Sequence, residues 1–215
     1  MNWLTFLVPR QLYCGSSRYS DVIEIVESFG NRKLLVNGIT QTGSYPTQIF
    51  RNGLRKLLEW HVGPMKQILV LGIGGGDIFY LLRKQYSRAH ICGVDIDATI
   101  VSLAKKYFGI ANISNTTYIV ADAKKFTKRQ SQKKIYDSVI IDLYEGNSVP
   151  DFVKSMGFFK DVKRLLRARG SIMFNFFSYT HQPEVKQELL LMLKSLFPNV
   201  LMKSNRRNIF FFCRT

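Results

Sequence analysis

The run Gln67-Ile68-Leu69-Val70-Leu71-Gly72 constrains this chain more than any other stretch. A strand without polar alternation is buried on both faces, as in a parallel sheet, and a glycine directly after it lets the chain turn tightly. From that point extended and helical patterns alternate. Strands are predicted at His90 to Ile96, Thr117 to Ala121, Asp137 to Ile141, Ser171 to Phe177, Asn199 to Lys203 and Asn208 to Cys213. Helices are predicted near Ile78 to Tyr86, Ala98 to Tyr107, Phe158 to Arg167 and Pro183 to Leu196. Such alternation implies an α/β, doubly wound and mostly parallel sheet, with ligands beyond the carboxyl ends of its strands. Only Ser204 to Arg207 separate the last two strands, too few residues for a parallel crossover, so these strands pair antiparallel.

Ahead of this unit, Tyr19 to Ser28 and Arg32 to Thr40 read as two extended runs joined by a Phe29-Gly30-Asn31 turn, a small β-hairpin. Ile49 to Trp60 reads as a short amphipathic helix closed by Gly63-Pro64. The expected organisation is therefore a hairpin and linking helix over 1–64, then a nucleoside-binding unit over 65–215. A mostly parallel sheet ending in an antiparallel hairpin points to a Rossmann-like methyltransferase fold rather than a nicotinamide dehydrogenase.

A length of 215 residues, 46% of them hydrophobic, suits one folded domain with a small appendage. No apolar run is long enough to cross a bilayer. The opening Met1 to Arg10 has an apolar patch without a preceding basic region or cleavage site, and reads poorly as a signal peptide. Cys14, Cys92 and Cys213 are odd in number, widely spaced and without a CxxC pair, which argues against a disulfide framework or a zinc site. A cytoplasmic location fits best. His61, His90 and His181 lack the spacing of metal or triad chemistry, so no metal is expected. Ser16, Ser17 and Cys92 lack a partner base for nucleophilic catalysis.

The net charge of +16 is the one unusual bulk feature. It reads either as a soluble basic surface or as attraction to a nucleic acid or acidic partner, acting within about 8 Å at physiological salt. The densest cluster, Lys124-Lys125 through Lys128-Arg129 to Lys133-Lys134, reads as a solvated loop between strands. It lacks the interleaved aromatics of a base-stacking surface.

The chemistry concentrates at the strand ends. Gly72-Ile73-Gly74-Gly75-Gly76-Asp77 allows close backbone approach to a ligand, yet it is not GxGxxG, because Asp77 stands where the last glycine would be. An acid there opposes a pyrophosphate and welcomes a cationic sulfonium or amine. Asp95 lies 19 residues beyond Gly76, where an acid at a second strand end bonds ribose hydroxyls. Asp97 reads as a cap for the next helix. Asp122, followed by Ala123, can accept from an adenine amino group or cap a helix. Asp142 and Glu145 can share a pocket that holds an amine and takes its proton, or they are loop acids bonded to backbone amides.

These residues resemble successive motifs of the spermidine synthase (polyamine aminopropyltransferase) family: Gly72 to Asp77, Val94-Asp95-Ile96-Asp97, Ala121-Asp122-Ala123 and Tyr136 to Asp142. The similarity continues through Phe158-Phe159, Leu165-Leu166, Gly170 and Asn175, and back to Leu35-Val36-Asn37-Gly38-Ile39-Thr40-Gln41. It implies that Asp95 binds ribose, Asp122 with Ala123 the adenine, Asp77 an amine of donor or acceptor, and Gln41 lies near the donor's sulfur end. Asp142 is implied as proton acceptor. Phe50-Arg51-Asn52 replaces the family's polyamine-gripping Tyr-His-Glu segment, and Asp142-Leu143-Tyr144-Glu145-Gly146 departs from its Asp-Ser-Ser-Asp-Pro. Arg51 in place of a neutral or acidic pocket residue is expected to repel a diamine. Most of the family's C-terminal extension is missing, as in shorter spermidine synthase-like proteins with a methyltransferase-type domain.

The expected activity is transfer of an aminopropyl or other alkyl group to an amine acceptor, from decarboxylated S-adenosylmethionine or S-adenosylmethionine. Val70 stands where many methyltransferases carry an acid, which favours aminopropyl transfer. The lost polyamine grip and the basic surface favour methyl transfer to an unknown acceptor, with an anionic one among the candidates. A non-catalytic nucleoside-binding module is the third reading. Family habit implies a homodimer.

Overall fold

The computed structural model describes residues 8–130, 134–146, 148–177, 183–205 and 208–215. The opening segment through Leu7, Lys133 of the basic cluster, His181 and Arg207 lie outside them.

Four short strands come first: β1 (Arg10–Gly15), β2 (Ile23–Ser28), β3 (Asn31–Val36) and β4 (Ile39–Thr40), paired antiparallel in sequence order. Phe29 and Gly30 both have positive φ (49° and 70°) between the paired Ser28 and Asn31, and Asn37-Gly38 repeats the device between Val36 and Ile39. Two left-handed residues form the tight turn whose twist matches the flanking strands. The expected hairpin is thus a four-stranded meander. Its second strand starts at Ile23 rather than Tyr19, because a turn bonded from Ser17 N–H to the Ser20 carbonyl occupies the approach.

Helix α1 (Ser44–Trp60) follows, five residues longer at its start than the periodicity predicts. Then come β5 (Gln67–Leu71), α2 (Asp77–Gln85), β6 (His90–Asp95), α3 (Ala98–Phe108), β7 (Thr116–Val120), α4 (Ala123–Gln130), β8 (Tyr136–Ile141), α5 (Met156–Leu165), β9 (Leu166–Phe177), α6 (Pro183–Leu196), β10 (Asn199–Asn205) and β11 (Asn208–Arg214). The seven strands from β5 onward form one sheet, ordered β10-β11-β9-β8-β5-β6-β7. β5 through β9 run parallel, while β11 is antiparallel to both β9 and β10.

Alternate residues of each strand feed opposite layers. Ile68 and Val70 pack with Leu54 and Leu57 of α1 and with Phe79 and Val101 of α2 and α3. Leu69 and Leu71 face the layer of Ala123, Phe159 and Leu193 from α4, α5 and α6. α1 therefore shares a core with the seven-stranded sheet, whereas Ile23, Ile25 and Leu34 of the meander pack on Ile100 and Leu103 of α3. No helix among the described residues is long and apolar enough to cross a membrane.

Two expectations are corrected. Lys124 to Arg129 belong to helix α4, not to a loop: Ala123 and Thr127 are buried, Phe126 packs on the core, and the lysines occupy the remaining face. The helix predicted to run through Arg167 ends at Leu165, and β9 begins at once, pairing Leu166 with Tyr136.

Candidate active site

Strand order reverses between β5 and β8, and both leave the sheet on the same rim. Asp142 N–H, just past β8, donates to the Leu71 carbonyl at 2.8 Å, so the ladder continues into the loops that form the site. The glycine turn fits around this contact. Gly72 has φ +95°, and a Cβ there would overlap the Asp142 carbonyl. At Gly75 and Gly76 the equivalent space is filled by Thr42 and Ile110. Gly74 differs: it has φ +51° and no atom within 4 Å of its would-be Cβ. Of the glycines expected to admit a ligand, Gly74 lies on open space, while Gly72 and Gly76 accommodate protein.

A cavity of about 520 Å³ opens at this rim. Its floor and walls include Gln41, Gly72, Gly74, Asp95, Asp122, Ala123, Asp142 and Glu145, together with Asp97. Five carboxylates therefore line one cavity, and its lining among the described residues contains no lysine, arginine or histidine. The N-terminal region borders it with Tyr19, Ser20, Leu34, Val36 and Asn37, residues that the sequence reading did not assign to the site.

Each acid is held by the backbone around it. Asp95 accepts from Ile73 N–H at 2.8 Å and Gly74 N–H at 3.4 Å through Oδ2, and from Asp97 N–H at 3.0 Å through Oδ1. This fixes the glycine turn against the end of β6. Burial pushes the Asp95 carboxyl up, against the opposing pull of those three donors. Asp97 caps α3 through Thr99 and Ile100 N–H, and its other oxygen accepts from the Ser17 hydroxyl at 2.5 Å. Asp122 accepts from Lys125 N–H at 3.1 Å, so it caps α4 and also borders the cavity.

Asp142 is partly buried, and its carboxyl is pushed up to about 7, first by withdrawal from solvent and further by the charge of Asp95. The Asn175 amide opposes this by donating to Oδ1 at 2.9 Å, and Asn208 Nδ2 in turn donates to Asn175 Oδ1 at 2.8 Å. Tyr144 donates its hydroxyl to the Asn175 carbonyl at 3.0 Å, and burial holds its phenol well above the usual range, so it stays protonated. Glu145 is exposed at the rim, in a backbone bridge with Ser148.

Asp77 lines neither this cavity nor its neighbour. Its Oδ2 accepts from Gly43 N–H at 3.1 Å and from the Thr47 hydroxyl at 2.8 Å, tying α2 to the start of α1. These two bonds give Asp77 a structural task. Asp95, Asp122 and Asp142 border one cavity; Asp77 does not.

A second cavity, about 210 Å³, adjoins the first and shares Gln41, Asp142, Tyr144 and Gly146 with it. Tyr45, Pro46, Ile49 and Phe50 of α1 form one wall, with Asn175 and Asn208 opposite. Phe50 enters this wall, whereas the exposed Arg51 turns to the Gln48 side chain at 3.3 Å and borders neither cavity. The expected repulsion of an acceptor by Arg51 therefore has no short-range basis.

A family model described as a methyltransferase domain matches residues 64–210. A polyamine aminopropyltransferase of Vibrio vulnificus is 30% identical over 122 residues, covering 54% of this chain and 41% of that protein. One from Saccharolobus solfataricus is 28% identical over 199 residues, covering 89% of this chain and 65% of its own length. The chain thus spans less than two thirds of both curated relatives. In structure it superposes on a probable spermidine synthase from Corynebacterium glutamicum with a TM-score of 0.80 at 20% identity, over 94% of this chain and 79% of the other. The chain belongs to the methyltransferase-domain family and has a spermidine synthase-like fold.

Proposed function

We propose that this chain is an alkyl-group transferase that binds decarboxylated S-adenosylmethionine in the larger cavity and passes its aminopropyl group to an amine in the smaller one. The observation that carries this reading is the larger cavity's charge: five carboxylates and no basic side chain among the described lining residues. A donor bearing a sulfonium and an ammonium is attracted there. The intact donor adds a carboxylate, and a like charge among these acids is disfavoured.

The residues fit such a donor. Asp95 retains acceptor capacity beyond its three backbone bonds, since a carboxylate offers about four lone-pair sites, and ribose hydroxyls can use it. Asp122 with Ala123 suits the adenine edge, and the open side of Gly74 leaves room for the nucleoside. The donor supplies a carbon made electrophilic by its sulfonium. Asp142, common to both cavities, accepts the proton of the attacking amine; a carboxyl raised to about 7 is a stronger base than an ordinary one. Asn175 and Asn208 hold it in orientation.

Calorimetric titration with decarboxylated and intact S-adenosylmethionine tests the reading. The decarboxylated form is expected to bind at least about tenfold more tightly, a difference of about 1.4 kcal/mol. Preference for the intact donor would turn the assignment to methyl transfer. If neither binds, the chain is a non-catalytic interaction module.

A further inference from the structure

The smaller cavity has one carboxylate. Asp142 sits where it meets the larger cavity, and the rest of its lining is aliphatic, aromatic, hydroxyl or amide. Residues outside the described set, MNWLTFL, SQK, N, SYTHQ and RR, contain no Asp or Glu, so they cannot supply a second acid. Two of the three side-chain amides are already arranged in a chain directed at Asp142, from Asn208 to Asn175 to its Oδ1. Ile49 and Phe50 are buried, and α1 is held in position by the bonds from Gly43 and Thr47 to Asp77.

These features separate two kinds of amine acceptor. A diamine entering nitrogen-first would carry its far ammonium along Pro46, Ile49 and Phe50. No carboxylate lines that wall, so the far ammonium finds no ion pair there to offset the hydration it gives up against apolar surface. A monoamine would lay its apolar body on the same wall and gain from burial. At water's share of about 30 Å³ per molecule, 210 Å³ admits about seven water-sized units, so a small acceptor fits.

Resting on the transferase reading, we infer that the acceptor is a small primary monoamine with an apolar body, its nitrogen at Asp142 and its body against Ile49 and Phe50. In the transfer step the lone pair of the neutral amine forms the new N–C bond to the donor's propyl carbon. The C–S bond breaks, and its electron pair returns to sulfur, leaving neutral methylthioadenosine. The proton of the resulting secondary ammonium passes to the Asp142 carboxylate.

Pentylamine and diaminobutane, equal in heavy-atom count, form the test pair, with decarboxylated S-adenosylmethionine as donor and methylthioadenosine release as readout. Pentylamine is expected to show a kcat/KM at least about tenfold higher, the scale of a buried methyl against an unpaired ammonium. Equal or reversed preference overturns the inference. Calorimetry on protein saturated with methylthioadenosine provides a second reading: tighter pentylamine binding upholds it, and tighter diaminobutane or no amine binding overturns it. A separate donor titration distinguishes the two failures. Absent donor binding removes the transferase reading itself, whereas donor binding with a diamine preference removes the monoamine assignment alone. Tyr45→Glu adds a carboxylate to the cavity wall in the first turn of α1, where the helix dipole favours it. It should raise the diaminobutane-to-pentylamine ratio of kcat/KM by about tenfold, and an unchanged ratio counts against the inference.

Discussion

The Asn175 amide donates to Asp142 Oδ1 at 2.9 Å from the neighbouring strand, and it is the side-chain bond that favours the ionised form of that acid. Without it, burial and the Asp95 charge act unopposed. Transfer should therefore rise with pH through about 7 as Asp142 ionises. Asn175→Ala should move that rise to higher pH, and Asp142→Asn should slow transfer by roughly 10²–10⁴-fold while sparing donor affinity. A pH–rate profile whose acidic limb stays put in Asn175→Ala contradicts the assignment.

The same acid has a consequence for stability. Its folded pKa is raised above the unfolded value, so the folded state holds the proton more tightly. This contribution is fully present below the unfolded pKa of 3.8 and is lost as pH rises through about 7. Asp142→Asn should then stabilise the protein by about 2–4 kcal/mol above neutrality and have little effect in acid. Urea unfolding at both pH values checks the sign; a variant destabilised at alkaline pH would contradict it.

Asp95→Ala removes the acceptor for Ile73, Gly74 and Asp97 N–H together with any ribose contact. Donor affinity should fall by about 1.5–3 kcal/mol. An unchanged dissociation constant takes Asp95 out of the site.

Asp77→Ala should behave differently. It breaks two bonds to the start of α1 and should cost about 1–3 kcal/mol of stability while leaving donor affinity within about twofold. Thermal melting and calorimetry on one preparation separate these effects; a large loss of donor affinity with an unchanged melting temperature would restore a ligand-binding role.

The glycine turn offers an internal comparison. Gly72→Ala drives a methyl into the Asp142 carbonyl and should destabilise by about 2–4 kcal/mol. Gly74→Ala meets no protein atom, so it should cost only about 1–2 kcal/mol for its left-handed backbone while weakening the donor. Equal stability losses would mean that the two positions are not distinguished as the contacts indicate.

The acids at the strand ends were legible because each directly follows an apolar run whose period marks a parallel strand. What Asp77 bonds to was not, since Gly43 and Thr47 lie 34 and 30 residues earlier. α4 escaped notice because only one narrow side of a lysine-rich segment is apolar. β1 was missed because Arg10–Gly15 is a largely exposed edge strand without clean alternation. The smaller cavity has no local signature: β4, α1, β9 and β11 meet there only after the sheet forms. Asn175 and Asn208, an amide pair on adjacent strands, were the one available hint.

The meander's contribution of Tyr19, Leu34, Val36 and Gln41 to the larger cavity has one more consequence. A fragment beginning near residue 64 would retain the seven strands yet present its acids in an open trough, bathed in water that weakens every charge–charge attraction there. Chemistry and architecture thus divide at different points along this polypeptide: the wound sheet supplies the reactive groups, and residues between 19 and 41 supply one wall of the cavity in which they act.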